Sequence, residues 1–312
     1  MKICKMLYSD INFEPAAIQP CCNTHAIKVP KYEFHGDEVD MHGYANYINQ
    51  VLNDLQTDSN ICKGCDKLVE INDDEIRNKK LIFSFGTVSL NMHRFLCNCK
   101  CVYCNFWHNL RKSYKILPPL KSLYKQSLLR KNCFFSWGGG EPTIQPDFEE
   151  ASAWIKTIGC SQYIHTNAII YSKVIEQLLS SQSCSINVSL DSGTREIYEK
   201  VKGVKKHDKV IANLCKYREF SNPNAIHLKY IIFNDNNSIS EIENFLLFAA
   251  KTLQIKIINF SFDFREVCKK AVSQKTIIAA AFLIKRAVDL GLDVIPFFVD
   301  DDILQRIKAA RI

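Results

Sequence analysis

Long hydrophobic runs are what this sequence most plainly lacks. No stretch of about 18 or more apolar residues occurs, so no transmembrane helix is expected. The opening MKICKMLYSDINFEP has neither the apolar core nor the small-residue cleavage site of a secretory signal. A cytoplasmic location with no membrane partner is the expectation. Low-complexity tracts and internal repeats are missing as well. Acidic residues are missing from one whole segment: residues 81–140 hold nine Lys or Arg and no Asp or Glu. The chain carries a net charge of +7, with −4 over residues 1–80 and +11 over 81–312. A basic surface of this kind favours an anionic substrate or an acidic partner. The alternative is a solvated face balanced by the acidic N-terminal segment.

What the sequence does have is 14 cysteines in 312 residues. In a reducing compartment, clustered thiols point to metal binding or catalysis and not to disulfides. Four of them fall in CNCKCVYC at residues 97–104. The scattered Cys133, Cys160, Cys184, Cys215 and Cys268 sit in apolar or mixed segments and read as small core or near-surface residues.

From residue 81 onward, strand and helix patterns alternate. LIFSFGTVSL (81–90), CFFSWGG (133–139), SQYIHTNAII (161–170), CSINVSLD (184–191), IHLKYIIFN (226–234), IKIINFSFDF (255–264) and LDVIPFF (292–298) have the short, near-continuous apolar character of strands buried on both faces. Helical patterns occupy 147–158, 172–181, 207–220, 238–253 and 276–291, with Asp147 as an N-cap and Gly291 as a C-cap. Repeated βα units imply parallel pairing. Six or seven of them give an α/β fold, a barrel or partial barrel of TIM type whose chemistry sits at the C-terminal strand ends. An open doubly wound sheet is the competing architecture. Residues 1–80 lack this rhythm. They read as a small irregular N-terminal cysteine-containing module with one helix at 44–56, and the barrel follows over 81–312.

Cys97, Cys101 and Cys104 have the spacing C-x3-C-x2-C in the loop after the first of these strands. Thiolates are soft ligands suited to iron–sulfur clusters or zinc. Three ligands on a four-iron cube leave one iron open for a substrate or cofactor. Cys99 lies too close to both Cys97 and Cys101 for comfortable ligation beside them and is read as a non-ligand.

Together with Asn98 and Tyr103, these cysteines resemble the CxxxCxxC signature of the radical S-adenosylmethionine (SAM) enzymes, in its common form C-N-x-x-C-x-Y-C. WGGGEPT at 137–143 is similar to that family's G-G-E-P element, carried by Gly139, Gly140, Glu141 and Pro142. Glycines allow close backbone approach, and a carboxylate with backbone carbonyls suits the ammonium of SAM. HTNA at 165–168 resembles the T-N-G element, with Ala168 in place of glycine beside Asn167. VSLDSGTREIYEKVKG at 188–203 resembles the fourth-strand segment, in which Ser189 and Asp191 would face the SAM ribose and substrate. Asp191 reads equally as a cap for the helix at TREIYEK. Lys229 stands where the family often places a base for the SAM carboxylate, a solvated lysine or ion pair being the plain alternative. The resemblance covers residues 81 to about 298 and implies an incomplete (β/α)6 barrel. It also implies a mechanism: one electron from a reduced 4Fe–4S cluster cleaves bound SAM, and the 5′-deoxyadenosyl radical released abstracts hydrogen from an unreactive carbon.

Cys62-x2-Cys65 is a strong local chelate. Cys21 and Cys22 are the expected partners, with His25 or Cys4 completing the set if only one of that adjacent pair binds. The module resembles, loosely, the SPASM or twitch extension of some radical SAM enzymes, although that extension normally follows the barrel. An auxiliary 4Fe–4S cluster, structural zinc and free thiols are the readings.

The expected function is a radical SAM enzyme acting on a peptide or protein, with flavodoxin or ferredoxin as electron donor. A nucleotide, sugar phosphate or RNA substrate is the alternative, and no nucleic-acid-binding module is apparent. The rival from another class is a non-catalytic, zinc-stabilised binding protein.

Overall fold

The computed structural model describes residues 2–4, 6–21, 29–34, 36–57, 62–63, 65, 67–70, 83–91, 96–108 and 114–310. The chain divides into two compact units, Met1–Leu96 with Leu110–Gln162 and Cys97–Asn109 with Tyr163–Ile312. The boundary expected near residue 80 falls in a stretch outside the described residues.

In chain order the first unit carries β1 (Lys2–Cys4), β2 (Asp10–Glu14), β3 (Ala17–Gln19), β4 (Tyr32–Glu33), α1 (Met41–Leu55), β5 (Leu68–Glu70), β6 (Phe85–Leu90), α2 (Leu117–Lys125), β7 (Leu129–Trp137) and α3 (Phe148–Thr157). Strand order runs β7-β6-β2-β3-β4, with β1 and β5 forming a separate two-stranded ribbon. β2 and β7 pair parallel to β6, whereas β3 pairs antiparallel to β2 and β4. The strands β2 and β3 went unread in the sequence because they are short. Their side chains are nonetheless almost all buried.

Helix α1 forms where expected. Asp40 caps it by accepting from the backbone N–H groups of His42 and Gly43, both at 3.0 Å. Its buried stripe of Tyr44, Ile48, Val51, Leu52 and Leu55 has helical spacing. Asp147 does stand at the N-cap position of α3, but its side chain does not cap that helix. Its Oδ2 instead accepts from Ile116 N (2.7 Å) and Leu117 N (2.8 Å) at the start of α2.

β8 (Ser161–Thr166) contains the division between the units. The second unit continues with α4 (Lys173–Ser180), β9 (Cys184–Ser189), α5 (Arg195–Lys202), α6 (His207–Glu219), β10 (Ile226–Ile232), α7 (Ile239–Leu247), β11 (Ile257–Phe262), α8 (Phe264–Cys268), α9 (Gln274–Asp289), β12 (Asp293–Pro296) and α10 (Asp301–Ala309). A π turn, Phe248–Thr252, extends α7. β9, β10, β11 and β12 pair in that order, all parallel. This is the α/β succession that the sequence predicts, and all seven expected strands are present.

Two expectations change. The helix over TREIYEK is capped by Thr194, whose hydroxyl accepts from Ile197 N at 3.4 Å, and not by Asp191. Nor are the strands apolar on both faces. Along β10, Ile226, Leu228, Tyr230 and Ile232 are buried, while His227, Lys229 and Ile231 alternate with them and are half-buried. One sheet face is core and the other is polar. No helix among the described residues is long and apolar enough to cross a membrane.

Candidate active site

The loop Cys97–Cys104 belongs to the second unit and has no regular secondary structure before the 3-10 turn Phe106–His108. Backbone hydrogen bonds hold its path. Lys100 N donates to Lys202 O at 2.9 Å and Val102 N to Val201 O at 3.0 Å, one on each side of Cys101. Cys104 N donates to Cys101 O at 3.1 Å, and the indole of Trp107 donates to the same carbonyl at 3.2 Å. Gly203 ends α5 at φ +64°. A Cβ there would lie 2.7 Å from the Lys100 carbonyl oxygen, so both conformation and close approach require glycine.

Beneath this loop lies a buried charged triad. Asp191 is 0% exposed and Lys202 2%. Asp191 Oδ2 accepts from Lys202 Nζ and from the Tyr103 hydroxyl (2.5 Å), and Lys202 Nζ also donates to that hydroxyl at 2.9 Å. Asp191 Oδ1 accepts from Ile231 N at 2.7 Å. Asp191 itself takes φ +58°, and Asn236 Nδ2 donates to its carbonyl at 2.9 Å. Burial works against the Lys202 charge, yet Asp191, and then Cys101 and Cys99, hold it protonated beyond the usual lysine range. The sequence places Tyr103 and Asp191 among cofactor contacts; in the structure both side chains are engaged with Lys202. Lys202 itself escaped sequence reading. Its signal was a lysine on an apolar stripe, since Tyr198, Val201 and Lys202 are the buried residues of α5.

Cys97, Cys101 and Cys104 are half-buried and Cys99 is buried. Cys99 N donates to Cys97 Sγ at 3.4 Å. The Cys101 thiol is pulled down to about 6, first by the hydrogen bond from the Cys99 thiol and then, against burial, by Lys202. The Cys99 thiol is driven up by donating to Cys101 and Cys97, so it keeps its proton. Among the described residues, no three His, Cys, Asp or Glu side chains gather closely enough to share one metal ion. The corners of an iron–sulfur cube lie farther apart than the ligands of a single ion. Soft thiols, an N–H···S bond and a nearby ammonium fit an anionic cluster, and Cys97, Cys101 and Cys104 could hold it.

Asn167 Nδ2 reaches Cys97 Sγ at 3.9 Å and Asn98 Oδ1 at 2.5 Å. The next residue, Ala168, has φ +56°, the left-handed conformation that explains a glycine at this point of the family's motif. Ser189 is half-buried at the end of β9, directly across from Lys229 on β10. Lys229 is drawn down to about 8 by burial. Its ammonium lies 4.7 Å over the Phe297 ring and, among the described residues, makes no ion pair. Around it the polar sheet face is hydrogen-bonded side to side. Asn187 meets His165 Nδ1 (3.2 Å) and accepts from Asn259 (3.2 Å), and the Tyr163 hydroxyl meets His227 Nδ1 (2.9 Å). His165 is held neutral, with its pKa lowered to about 4 by burial and then by Lys229. These residues were missed in the sequence, although their alternation with apolar neighbours was the available signal.

In the first unit, Gly139 and Gly140 take φ +71° and +61°. Glu141 is fully buried. Its N–H donates to Leu96 O at 2.7 Å, and its Oε1 accepts from Thr143 N (3.2 Å) and the Thr143 hydroxyl (2.7 Å), capping the 3-10 turn Pro142–Ile144.

Cys62 and Cys65 form a turn, with Cys65 N donating to Cys62 O at 2.9 Å. That turn leads into β5, where Leu68 pairs with Cys4 of β1. Cys4, Cys62 and Cys65 are near enough to act on one another electrostatically. The Cys21 thiol acts on Tyr44 and Tyr47, and its carbonyl accepts from Asn12 at 3.5 Å. Cys22 and His25 lie outside the described residues. Cys133, Cys160 and Cys184 are buried, Cys215 is half-buried and Cys268 is exposed.

The family model of the radical SAM superfamily matches residues 93–249. Among curated relatives, the mycofactocin maturase MftC of Mycolicibacterium smegmatis is 24% identical over 159 residues, covering 50% of this chain and 40% of that protein. The probable GTP 3′,8-cyclase of Sulfurisphaera tokodaii is 25% identical over 160 residues, covering 50% of each. The chain thus spans half or less of the length of these relatives. Among solved structures, Streptococcus suis SuiB bound to S-adenosylmethionine is similar with a TM-score of 0.57 at 12% identity, covering 90% of this chain and 60% of that one. SuiB bound to the precursor peptide SuiA gives 0.55 at 15% identity, with 87% and 58% covered. This likeness is one of fold.

Proposed function

The chain belongs to the radical SAM superfamily of enzymes, and from that premise we propose that it modifies a peptide or protein by hydrogen abstraction. The carrying observation is the loop of Cys97, Cys101 and Cys104, pinned to Val201 and Lys202 on both sides of its middle cysteine. This family uses a 4Fe–4S cluster and S-adenosylmethionine; when bound, the cluster supplies the electron that cleaves SAM to methionine and a 5′-deoxyadenosyl radical. In our reading Cys97, Cys101 and Cys104 hold the cluster, and Cys99 stays protonated beside them. Gly139, Gly140 and Glu141 meet the SAM ammonium, while Asn167, Ser189 and Lys229 serve its remaining polar groups. Tyr103 and Asp191 act from behind the loop. A peptide substrate is supported by the similarity to MftC and to SuiB. The similarity to a GTP cyclase favours a nucleotide as the second reading.

The N-terminal module, in this reading, carries an auxiliary cluster on Cys62 and Cys65 with Cys21 or Cys22, completed by Cys4 or His25, structural zinc on that wider set being the alternative. Clusters of such low potential require a reducing compartment, which favours the cytoplasm and a flavodoxin- or ferredoxin-type donor. The test is anaerobic reconstitution followed by iron and zinc analysis. Cys101→Ala should abolish SAM cleavage and remove only the loop's share of iron; full activity in that variant would refute the assignment. Release of 5′-deoxyadenosine, stimulated by a pool of short peptides and not by GTP, would favour the peptide reading, and the reverse would favour the nucleotide.

A further inference from the structure

We propose that Lys202 is a positioning residue for the cysteine loop, a buried ammonium held under Cys101 by Asp191 and Tyr103 that sets the electrostatic potential at the cluster. The inference rests on the reading that Cys97, Cys101 and Cys104 hold a 4Fe–4S cluster. Three observations converge on it. The backbone of Lys202 and its neighbour Val201 accepts from Lys100 and Val102, the residues on either side of Cys101. The side chain of the same lysine is 2% exposed and is fixed by Asp191 and by the hydroxyl of Tyr103, a residue of the loop itself. Gly203, next along the chain, lets the Lys100 carbonyl approach more closely than any Cβ would permit. One short segment therefore holds the loop's path and supplies its charge.

The physical consequence concerns electron transfer. A cluster bound by three thiolates is anionic and becomes more so on reduction. A fixed cation beside one thiolate stabilises the reduced form more than the oxidised form, because interaction energy scales with charge and is weakly screened where water is excluded. Asp191 offsets part of the ammonium's charge, and the hydrogen bond from Lys202 Nζ to the Tyr103 hydroxyl ties the cation to the loop itself.

The experiment compares the reconstituted parent with the double variant Lys202→Met/Asp191→Asn, which keeps the volume and leaves no orphan charge. Iron content, circular dichroism and the midpoint potential of the reduced cluster by EPR titration are the readouts. The double variant should keep its fold and be harder to reduce by about tenfold in the equilibrium, about 59 mV for one electron. Lys202→Arg, which keeps a cation, should stay within threefold of the parent. Loss of iron with unchanged circular dichroism would equally support the positioning role. Full iron with an unchanged potential in the double variant would overturn it. If the double variant does not fold, Tyr103→Phe decides the question: it removes only the hydroxyl between the pair and the loop, and should lower reducibility at least threefold, an unchanged potential being the refuting result. A parent with no bound iron would instead sink the cluster reading, and this inference with it.

Discussion

Two cysteine trios in this chain share the same arithmetic and sit in opposite electrostatic settings. Cys4, Cys62 and Cys65 are brought together in the first unit by a ribbon of three-residue strands and a C-x2-C turn. Burial raises the Cys4 and Cys62 thiols, and the charges acting on Cys4 are those of Cys65 and Asp10, both of which raise it further. Cys97, Cys101 and Cys104 occupy a loop of the second unit that is hydrogen-bonded to a helix end and underlain by a lysine. There the Cys101 thiol is lowered, although burial raises the Cys104 thiol. Spacing brings Cys97, Cys101 and Cys104 into one loop, whereas strand pairing brings Cys4 to Cys62 and Cys65. Residues far away along the chain decide which of them ionise readily.

The comparison can be broken most severely at its charged support. Asp191→Ala leaves Lys202 buried without its carboxylate, and should destabilise the fold by about 3–5 kcal/mol in denaturant titration. A loss under 1 kcal/mol would mean that the triad does not support the loop.

A second lysine on the same unit, the half-buried Lys229, sharpens the contrast, because among the described residues it makes no ion pair. Its pKa in the fold, about 8, lies below the ordinary 10.5. The buried charge therefore destabilises the fold at pH below about 8, and this burden lifts as pH rises towards 10.5. Lys229→Met should gain up to roughly 3 kcal/mol at pH 7, with the gain shrinking in unfolding curves measured near pH 10. A gain independent of pH would contradict the assignment.

Gly203→Ala tests the loop's close approach. It combines a strained φ with a clash against the Lys100 carbonyl, and should cost about 1–3 kcal/mol. Faster proteolysis within 97–104 should accompany it, with the turn at Cys62–Cys65 unaffected. The smallest effect has the opposite sign. Ala168→Gly relieves a left-handed alanine and should stabilise by about 1 kcal/mol or less, read as a rise in Tm. A fall in Tm would show that the methyl group's packing outweighs the backbone strain.

Much of the fold was legible because periodicity and length are local. All seven strands from residue 85 onward were recognised, as were α1, α3, α4, α6, α7 and α9. The short strands β2 and β3 were not, since three to five residues leave too little pattern to separate from a loop. Helix α2, which opens on Leu117-Pro118-Pro119, went unread although proline suits a first helical turn. In the candidate site, the cysteine spacing, the glycine pair before Glu141 and the odd Ala168 were all visible. The partners of Asp191 were not, because Tyr103 lies 88 positions away along the chain and Ile231 lies 40 positions away.

By itself, then, the sequence determined the βα rhythm, the loop that carries Cys97, Cys101 and Cys104, and the family to which they belong, for these are properties of adjacent residues. Only the tertiary structure decided that the strand of Cys4 pairs with the strand that follows Cys65, and that Asp191 turns inward to Lys202 and Tyr103. Strand register and helix packing bring distant groups within hydrogen-bonding reach, and no local pattern encodes which buried charge will find which partner.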